Sequence, residues 1–223
     1  MISVVIPAFN EERSIIETVR NVRAVLDGAE MKDAEILIVD DGSSDATGAL
    51  ALQAGAVVVV NPHNAGYGYS LKAGITKARF DTIVITDADG TYPIEKIPEL
   101  VKLYQDGFDM VVGARSGAHY RGSRIKWPMR RLLRFLVEWT TGRRIPDINS
   151  GLRVFSRATI MEYFSHLCNT FSFTTSLTLA YMMTSKFVTY VTIPYAERVG
   201  KSKVNLWRDS FRTVTSQKSL EAA

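Results

Sequence analysis

The sequence predicts an α/β fold, a mostly parallel sheet with helices on both faces, and three observations predict it. Over residues 1–115, short apolar, β-branched runs alternate with amphipathic stretches, and strand and helix in alternation require parallel strands joined by helical crossovers. Polar clusters stand where the strands should end: AFNEE, DDGSSD, NPHNAGYG and DADGTYP. Ligands of such sheets sit beyond the carboxyl ends of the strands. Finally, 223 residues with 46% hydrophobic content are enough to bury a sizeable core.

In chain order, the first strand is expected at Ile2–Pro7 and is followed by a helix, since Ile15, Val19, Val22 and Leu26 fall on one helical face. Asn10 is placed to cap it, Glu11 and Glu12 favour its N-terminal dipole, and Gly28 is placed to end it. A second strand at Glu35–Asp40 leads to a helix capped by Ser43 or Ser44 and ending near Gly55. Strands at Ala56–Val60, Thr82–Thr86 and Met110–Gly113 follow, with a third helix at Gly66–Ala78 before the fourth strand. After residue 115 the pattern changes. Tyr120–Gly142 is basic and aromatic, with Leu132, Leu133, Phe135, Leu136 and Trp139 forming a helical apolar stripe. Phe171–Met183 reads as a second apolar helix and Phe187–Ile193 as a β-branched run ending at Pro194. The tail after Trp207 is polar.

Net charge is +4, but its distribution says more than its sum. From Arg121 to Arg144 there are eight basic residues against one acid, Glu138. Such a segment is built to meet something anionic: phosphate, phospholipid headgroups or nucleic acid. Within it, Arg130, Arg131 and Arg134 beside Leu133, Leu136 and Trp139 have the composition of an interfacial helix lying on anionic lipid. An ordinary helix packed on the sheet is the competing reading. Nucleic acid is not expected as a partner, because no recognised reader motif accompanies the charge. Met1 runs directly into ISVVIP without a leader pattern, and the apolar runs fall far short of the about 20 residues that span a bilayer. A location on the cytoplasmic side is expected. The single cysteine, Cys168, excludes an internal disulfide and reads as a structural thiol.

Asp87 and Asp89, in IVITDADG, close an apolar run. On an extended chain, residues i and i+2 point to one face, and a hard cation takes oxygen ligands while keeping positions for substrate phosphates. The pair is therefore expected to hold Mg²⁺ or Mn²⁺ against a diphosphate; a solvated Asp-Gly turn is the alternative.

Six motifs in order, VVIPAFNEE, IVDDGSSD, ITDADG, VGARS, INSGLRVF and RVGKSKV, resemble the inverting GT-A glycosyltransferases of family 2. The likeness is greatest to the polyprenyl-phosphate branch, which includes dolichyl-phosphate mannose synthases and undecaprenyl-phosphate sugar transferases. The resemblance covers residues 2 to about 206. It implies a GT-A fold, a UDP- or GDP-linked sugar donor, a divalent metal and a polyprenyl phosphate acceptor. Carried over by position, it places Pro7, Phe9 and Glu11 in the nucleotide-contacting segment, Asp41 at the base, and Asp87 and Asp89 at the diphosphate and metal. Arg115 matches an arginine associated with donor or acceptor phosphate. Lys203, with Arg198 and Lys201, looks like the cationic loop that closes over the diphosphate, and Asp147 matches an acidic residue near the reacting centre. The dolichyl-phosphate mannose enzymes often have Gln two places after the second Asp; this chain has Thr91 there, and a water would take that position.

On this reading residues 1–115 are the nucleotide-sugar half of the domain, 116–206 the acceptor and membrane half carrying C-terminal amphipathic helices, and 207–223 a tail. A phosphate acceptor needs little proton removal, since a phosphomonoester's second pKa is about 6. A hydroxyl acceptor would need a base, for which Asp147 is the candidate. Three competitors stay open: transfer to a saccharide or other hydroxyl, an inactive nucleotide-sugar-binding subunit of a membrane assembly, and a phospho-receiver domain. The last expects its acidic pair after the first strand, where this chain has AFNEE. No QxxRW sequence occurs, which counts against the processive polysaccharide synthases of the family.

Overall fold

A computed structural model of the chain describes residues 1–117, 138–139 and 142–196. Among the described residues there are seven strands, β1 Ile2–Ala8, β2 Glu35–Asp40, β3 Val57–Val60, β4 Thr82–Ile85, β5 Met110–Ser116, β6 Arg153–Ser156 and β7 Val188–Pro194. The same residues include six α-helices, α1 Ile15–Gly28, α2 Thr47–Gln53, α3 Tyr67–Lys77, α4 Ile97–Gln105, α5 Arg157–Met161 and α6 Phe173–Met183. All seven strands form one sheet in the order β3-β2-β1-β4-β6-β5-β7. Neighbours are parallel except where β6 runs antiparallel between β4 and β5.

Alternation along each strand divides the apolar residues between two layers. Val4, Ile6, Ile36 and Ile38 join Val19, Val22 and Leu26 of α1 and Leu100 and Val101 of α4 on one face. Val5, Leu37, Val39, Ile83 and Ile85 meet Leu71 and Ile75 of α3 and Phe173, Leu177 and Tyr181 of α6 on the other. Burying each such side chain contributes about 1.5–3 kcal/mol, which is why the four-residue β4 holds its place at the centre of the sheet. The run at β3 is instead an edge, with Val57 and Val60 exposed.

Pro7 is tolerated near the centre of the sheet by register. β1 pairs with β4 only through Val5↔Ile85. Pro7 shares the side of Val5, so its missing N–H faces beyond the end of β4 and no ladder bond is lost.

Several local expectations are corrected. Helix α1 starts at Ile15 with Ser14 at the N-cap, and Asn10 does not cap it. Asn10 has φ +53°, and its Oδ1 accepts the Ser44 N–H at 2.8 Å. Parallel β1 and β2 end side by side, so the two loops that follow bond to each other: the Asn10 N–H donates to Ser43 Oγ and the Glu11 N–H to Thr47 Oγ1. The serines are thereby engaged across the gap, and it is Asp45 Oδ1 that accepts the Thr47 N–H at the start of α2. Gly28 is the last residue of α1, and Glu30 takes the left-handed conformation that turns the chain. Cys168 is only partly buried.

Strand β6 and helices α4 and α5 are not among the elements expected from the sequence. β6 is four residues long and begins with an arginine, so it carries no alternating apolar signal; long-range pairing alone makes it a strand. Its position also interleaves the two halves of the chain, since a strand from beyond residue 150 lies between β4 and β5. The proposed interfacial helix around Arg130, Arg131 and Arg134 lies outside the described residues, as does the cationic segment with Arg198, Lys201 and Lys203.

Candidate active site

The antiparallel β6 concentrates chemistry at one end of the sheet. Because Arg153 pairs with both Ile85 of β4 and Val112 of β5, the loop that enters β6 lies beside the points where β4 and β5 end. Asp147 to Leu152, Asp87 to Thr91 and Arg115 therefore lie at the same end of the sheet as the ends of β1 and β2.

Arg115 and Asp147 are joined there. Nε donates to Oδ2 at 2.7 Å, Nη2 to Oδ1 at 3.0 Å, and the Arg115 backbone N–H to Oδ2 at 3.1 Å. The Asn149 N–H adds a fourth bond to Oδ1. Burial alone would raise the Asp147 pKa, but these bonds and the guanidinium charge hold it below the usual carboxylate range. Burial likewise opposes the charge on Arg115, and Asp147 more than compensates, keeping it protonated. The guanidinium also lies over the Tyr195 ring, 5.2 Å from its centroid.

The loop itself is fixed by Arg153, whose side chain is fully buried. Its Nε and Nη2 donate to the carbonyls of Ser150 and Ile148, and its Nη1 to Thr178 Oγ1, each at 2.8 Å. Burial lowers its pKa, and neutral acceptors satisfy its fork in place of a direct carboxylate. Ser150 Oγ donates to the Gly113 carbonyl, and the Gly151 N–H donates to Tyr92 Oη at 2.6 Å.

The Asp pair stands beyond β4, which ends at Ile85, with Asp89 in a turn that runs on to Gly90 at φ +71°. Asp87 Oδ1 accepts from Tyr67 Oη at 3.0 Å. Asp89 is nearly buried, and its Oδ1 accepts both the Thr91 hydroxyl at 2.7 Å and the Thr91 N–H at 3.1 Å. Thr91 thus orients Asp89.

At the end of β2, Asp41 is buried and accepts three bonds. Oδ1 takes Asn61 Nδ2 at 2.8 Å and the Ala65 N–H at 2.9 Å, and Oδ2 takes the Gly66 N–H at 2.9 Å. Its carboxylate holds the loop that starts α3. Gly42 beside it has φ +71°, and a Cβ there would lie 2.7 Å from the His63 backbone, so only glycine lets this loop close. Pro7, Phe9 and Glu11 stand at the end of β1, each partly exposed.

The fold thus brings together Asp87, Asp89, Arg115 and Asp147, with Asp41 supporting the neighbouring loop. Sequence reasoning missed Tyr67, Tyr92, Gly151 and Arg153. Their only signal was membership of the polar clusters NPHNAGYG and DADGTYP and of the INSGLRVF motif.

Residues 3–164 match the family described as Glycosyl transferase family 2. The chain is 34% identical over 165 residues to an undecaprenyl-phosphate 4-deoxy-4-formamido-L-arabinose transferase of Pseudomonas fluorescens, covering 71% of this chain and 48% of that protein. It is 36% identical over 162 residues to the transferase of the same name from an Enterobacter species, covering 70% and 49%. The chain thus spans about half the length of these curated relatives. Its fold is similar to that of glucosyl-3-phosphoglycerate synthase from Mycobacterium tuberculosis, solved with Mn²⁺, UDP and phosphoglyceric acid, at a TM-score of 0.74 and 23% identity over 98% of this chain and 78% of that one. At that identity the likeness is one of fold, an α/β sheet of GT-A type.

Proposed function

The chain belongs to glycosyl transferase family 2, and on that premise we propose that it transfers a sugar, with inversion, from a nucleotide-sugar donor to a polyprenyl phosphate at the cytoplasmic face of a membrane. The relatives' names support the acceptor class. The observation that carries the reading is the engagement of Asp147 by Arg115. A carboxylate with both oxygens bonded and its pKa depressed is a poor general base. A phosphate acceptor needs none, because it is already largely dianionic at neutral pH.

We assign the donor to residues 1–115, with Phe9 against the base, Pro7 and Glu11 beside it, and Asp41 shaping the base pocket. Among the described residues no group of three or more His, Cys, Asp or Glu converges. Asp87 and Asp89 would therefore hold Mg²⁺ or Mn²⁺ together with diphosphate oxygens, the arrangement in which one or two carboxylates suffice. When bound, the ion supplies positive charge to the departing diphosphate. Arg198, Lys201 and Lys203 are assigned the same task from the other side, and Arg115, oriented by Asp147, faces the incoming phosphate. Holding two anions in line against their repulsion is the main work of such a site.

No helix among the described residues is long and apolar enough to cross a membrane. We assign membrane contact to the basic segment of residues 121–144, where Trp139 is 76% exposed. The testing experiment is a thermal-shift panel of UDP- and GDP-sugars with Mn²⁺ or Mg²⁺, followed by transfer assays with a polyprenyl phosphate and with simple sugars. Metal-dependent stabilisation and transfer to the lipid phosphate alone are expected. Robust transfer to a simple sugar, with none to the lipid, would overturn the acceptor assignment.

A further inference from the structure

We propose that Tyr67 is a positioning residue for the metal-holding carboxylate of Asp87, holding it through its hydroxyl in a corner where the bare backbone of Gly151 leaves room for both groups. The inference rests on the reading of Asp87 as a metal ligand and extends it to two residues outside the acidic motif.

Tyr67 Oη donates to Asp87 Oδ1 at 3.0 Å. Gly151 lies against both groups: a Cβ built on it would stand 3.0 Å from Asp87 Oδ1, 3.2 Å from Oδ2 and 3.1 Å from Tyr67 Oη. A side chain at residue 151 would press on the carboxylate and on the hydroxyl that holds it.

Tyr67 and Gly151 are each anchored independently. Tyr67 is the first residue of α3, directly after Gly66, whose N–H is held by Asp41. Its ring stacks on Phe171 with centroids 5.4 Å apart and planes 16° from parallel. Gly151 is fixed by the bond from its N–H to Tyr92 Oη and by Ser150 bonding to Gly113.

A hydroxyl bonded to a ligating carboxylate fixes which oxygens face the ion. Loss of such outer partners weakens metal affinity about 10–100-fold. Gly151 also belongs to the loop carrying Asp147, so the Asp87 carboxylate packs against that loop.

The test measures Mn²⁺ binding by electron paramagnetic resonance, in the presence of UDP and, separately, GDP, for wild type, Tyr67→Phe and Gly151→Ala. Tyr67→Phe keeps the stacked ring and removes only the hydroxyl. It is expected to weaken Mn²⁺ binding about 10-fold or more with a nearly unchanged thermal midpoint. The KM for Mn²⁺ should rise while kcat at saturating Mn²⁺ is largely kept. Gly151→Ala presses a methyl on the same carboxylate and should shift Mn²⁺ affinity in the same direction, which keeps the inference testable if Tyr67→Phe fails to fold. Wild-type Mn²⁺ affinity in the folded variants would overturn the role of Tyr67 alone. Absence of Mn²⁺ binding to wild type with either nucleotide would overturn the metal assignment of Asp87, and this inference with it.

Discussion

Arg115, near the end of β5, and Asp147, in the loop before β6, meet as a bidentate pair with Nε to Oδ2 at 2.7 Å and Nη2 to Oδ1 at 3.0 Å. The side chains are 15% and 1% exposed, so the pair is mostly out of water. Its net charge is close to zero, and it joins the sheet to the loop whose Gly151 lies against Asp87.

Breaking such a pair leaves a buried charge without its partner, which costs about 3 kcal/mol. Asp147→Asn is expected to lose about that much stability at neutral pH, measured by urea unfolding. The sign with pH follows from the depressed Asp147 pKa: its contribution is full above the unfolded value of 3.8 and is lost as pH falls through the lower folded value. The gap between wild type and variant should therefore narrow in strong acid. A constant gap would show that Asp147 does not titrate as described.

The same variant tests the acceptor. With a lipid phosphate as nucleophile, Asp147→Asn should lower the rate while the pH–rate profile keeps its shape, since no essential base is lost. Disappearance of an acidic limb would identify Asp147 as a base and favour a hydroxyl acceptor.

Asp89→Ala is expected to abolish transfer and metal-dependent nucleotide binding, and Asp87→Ala to act similarly. Thr91→Val removes the hydroxyl that orients Asp89 and should weaken Mn²⁺ binding about 10-fold. Isothermal titration with Mn²⁺ and nucleotide checks all three. Full activity of Asp89→Ala in metal-free buffer would remove the metal from the mechanism.

Asp41→Ala leaves the N–H groups of Ala65 and Gly66 without their acceptor. Each such loss costs about 1–3 kcal/mol, and in a chain of this size 1 kcal/mol is worth about 2–4 °C. A fall in thermal midpoint of at least about 4 °C is expected even without nucleotide. An unchanged midpoint would show the carboxylate to serve the ligand alone.

Replacing Arg130, Arg131 and Arg134 together by Gln should reduce binding to anionic liposomes. Each basic residue near such a surface contributes about 1 kcal/mol before screening, so roughly 3 kcal/mol, about two decades of affinity, is at stake at low salt. Nucleotide binding should survive. Unchanged liposome co-sedimentation would move membrane contact elsewhere.

What the sequence determined by itself was whatever is encoded over short spans. Short apolar, β-branched runs located β1 to β5 and β7, and helical spacing, cap residues and an apolar stretch located α1 to α3 and α6, because burial of an element leaves its mark on neighbouring residues. Strand-end polar clusters placed Asp41, Asp87 and Asp89 beyond the carboxyl ends of β2 and β4, where ligands of such sheets sit. The tertiary structure alone decided what depends on contacts between distant residues. Asn10 reads as a cap until parallel β1 and β2 bring Ser43 and Ser44 within its reach. Four residues headed by arginine become β6 only when β4 and β5 offer both edges. That insertion carries Asp147 to Arg115 and Gly151 to Asp87, separations of 32 and 64 residues along the chain. No local pattern records such pairings, since the energy that selects them comes from burial and hydrogen bonds formed only after the sheet has closed around them.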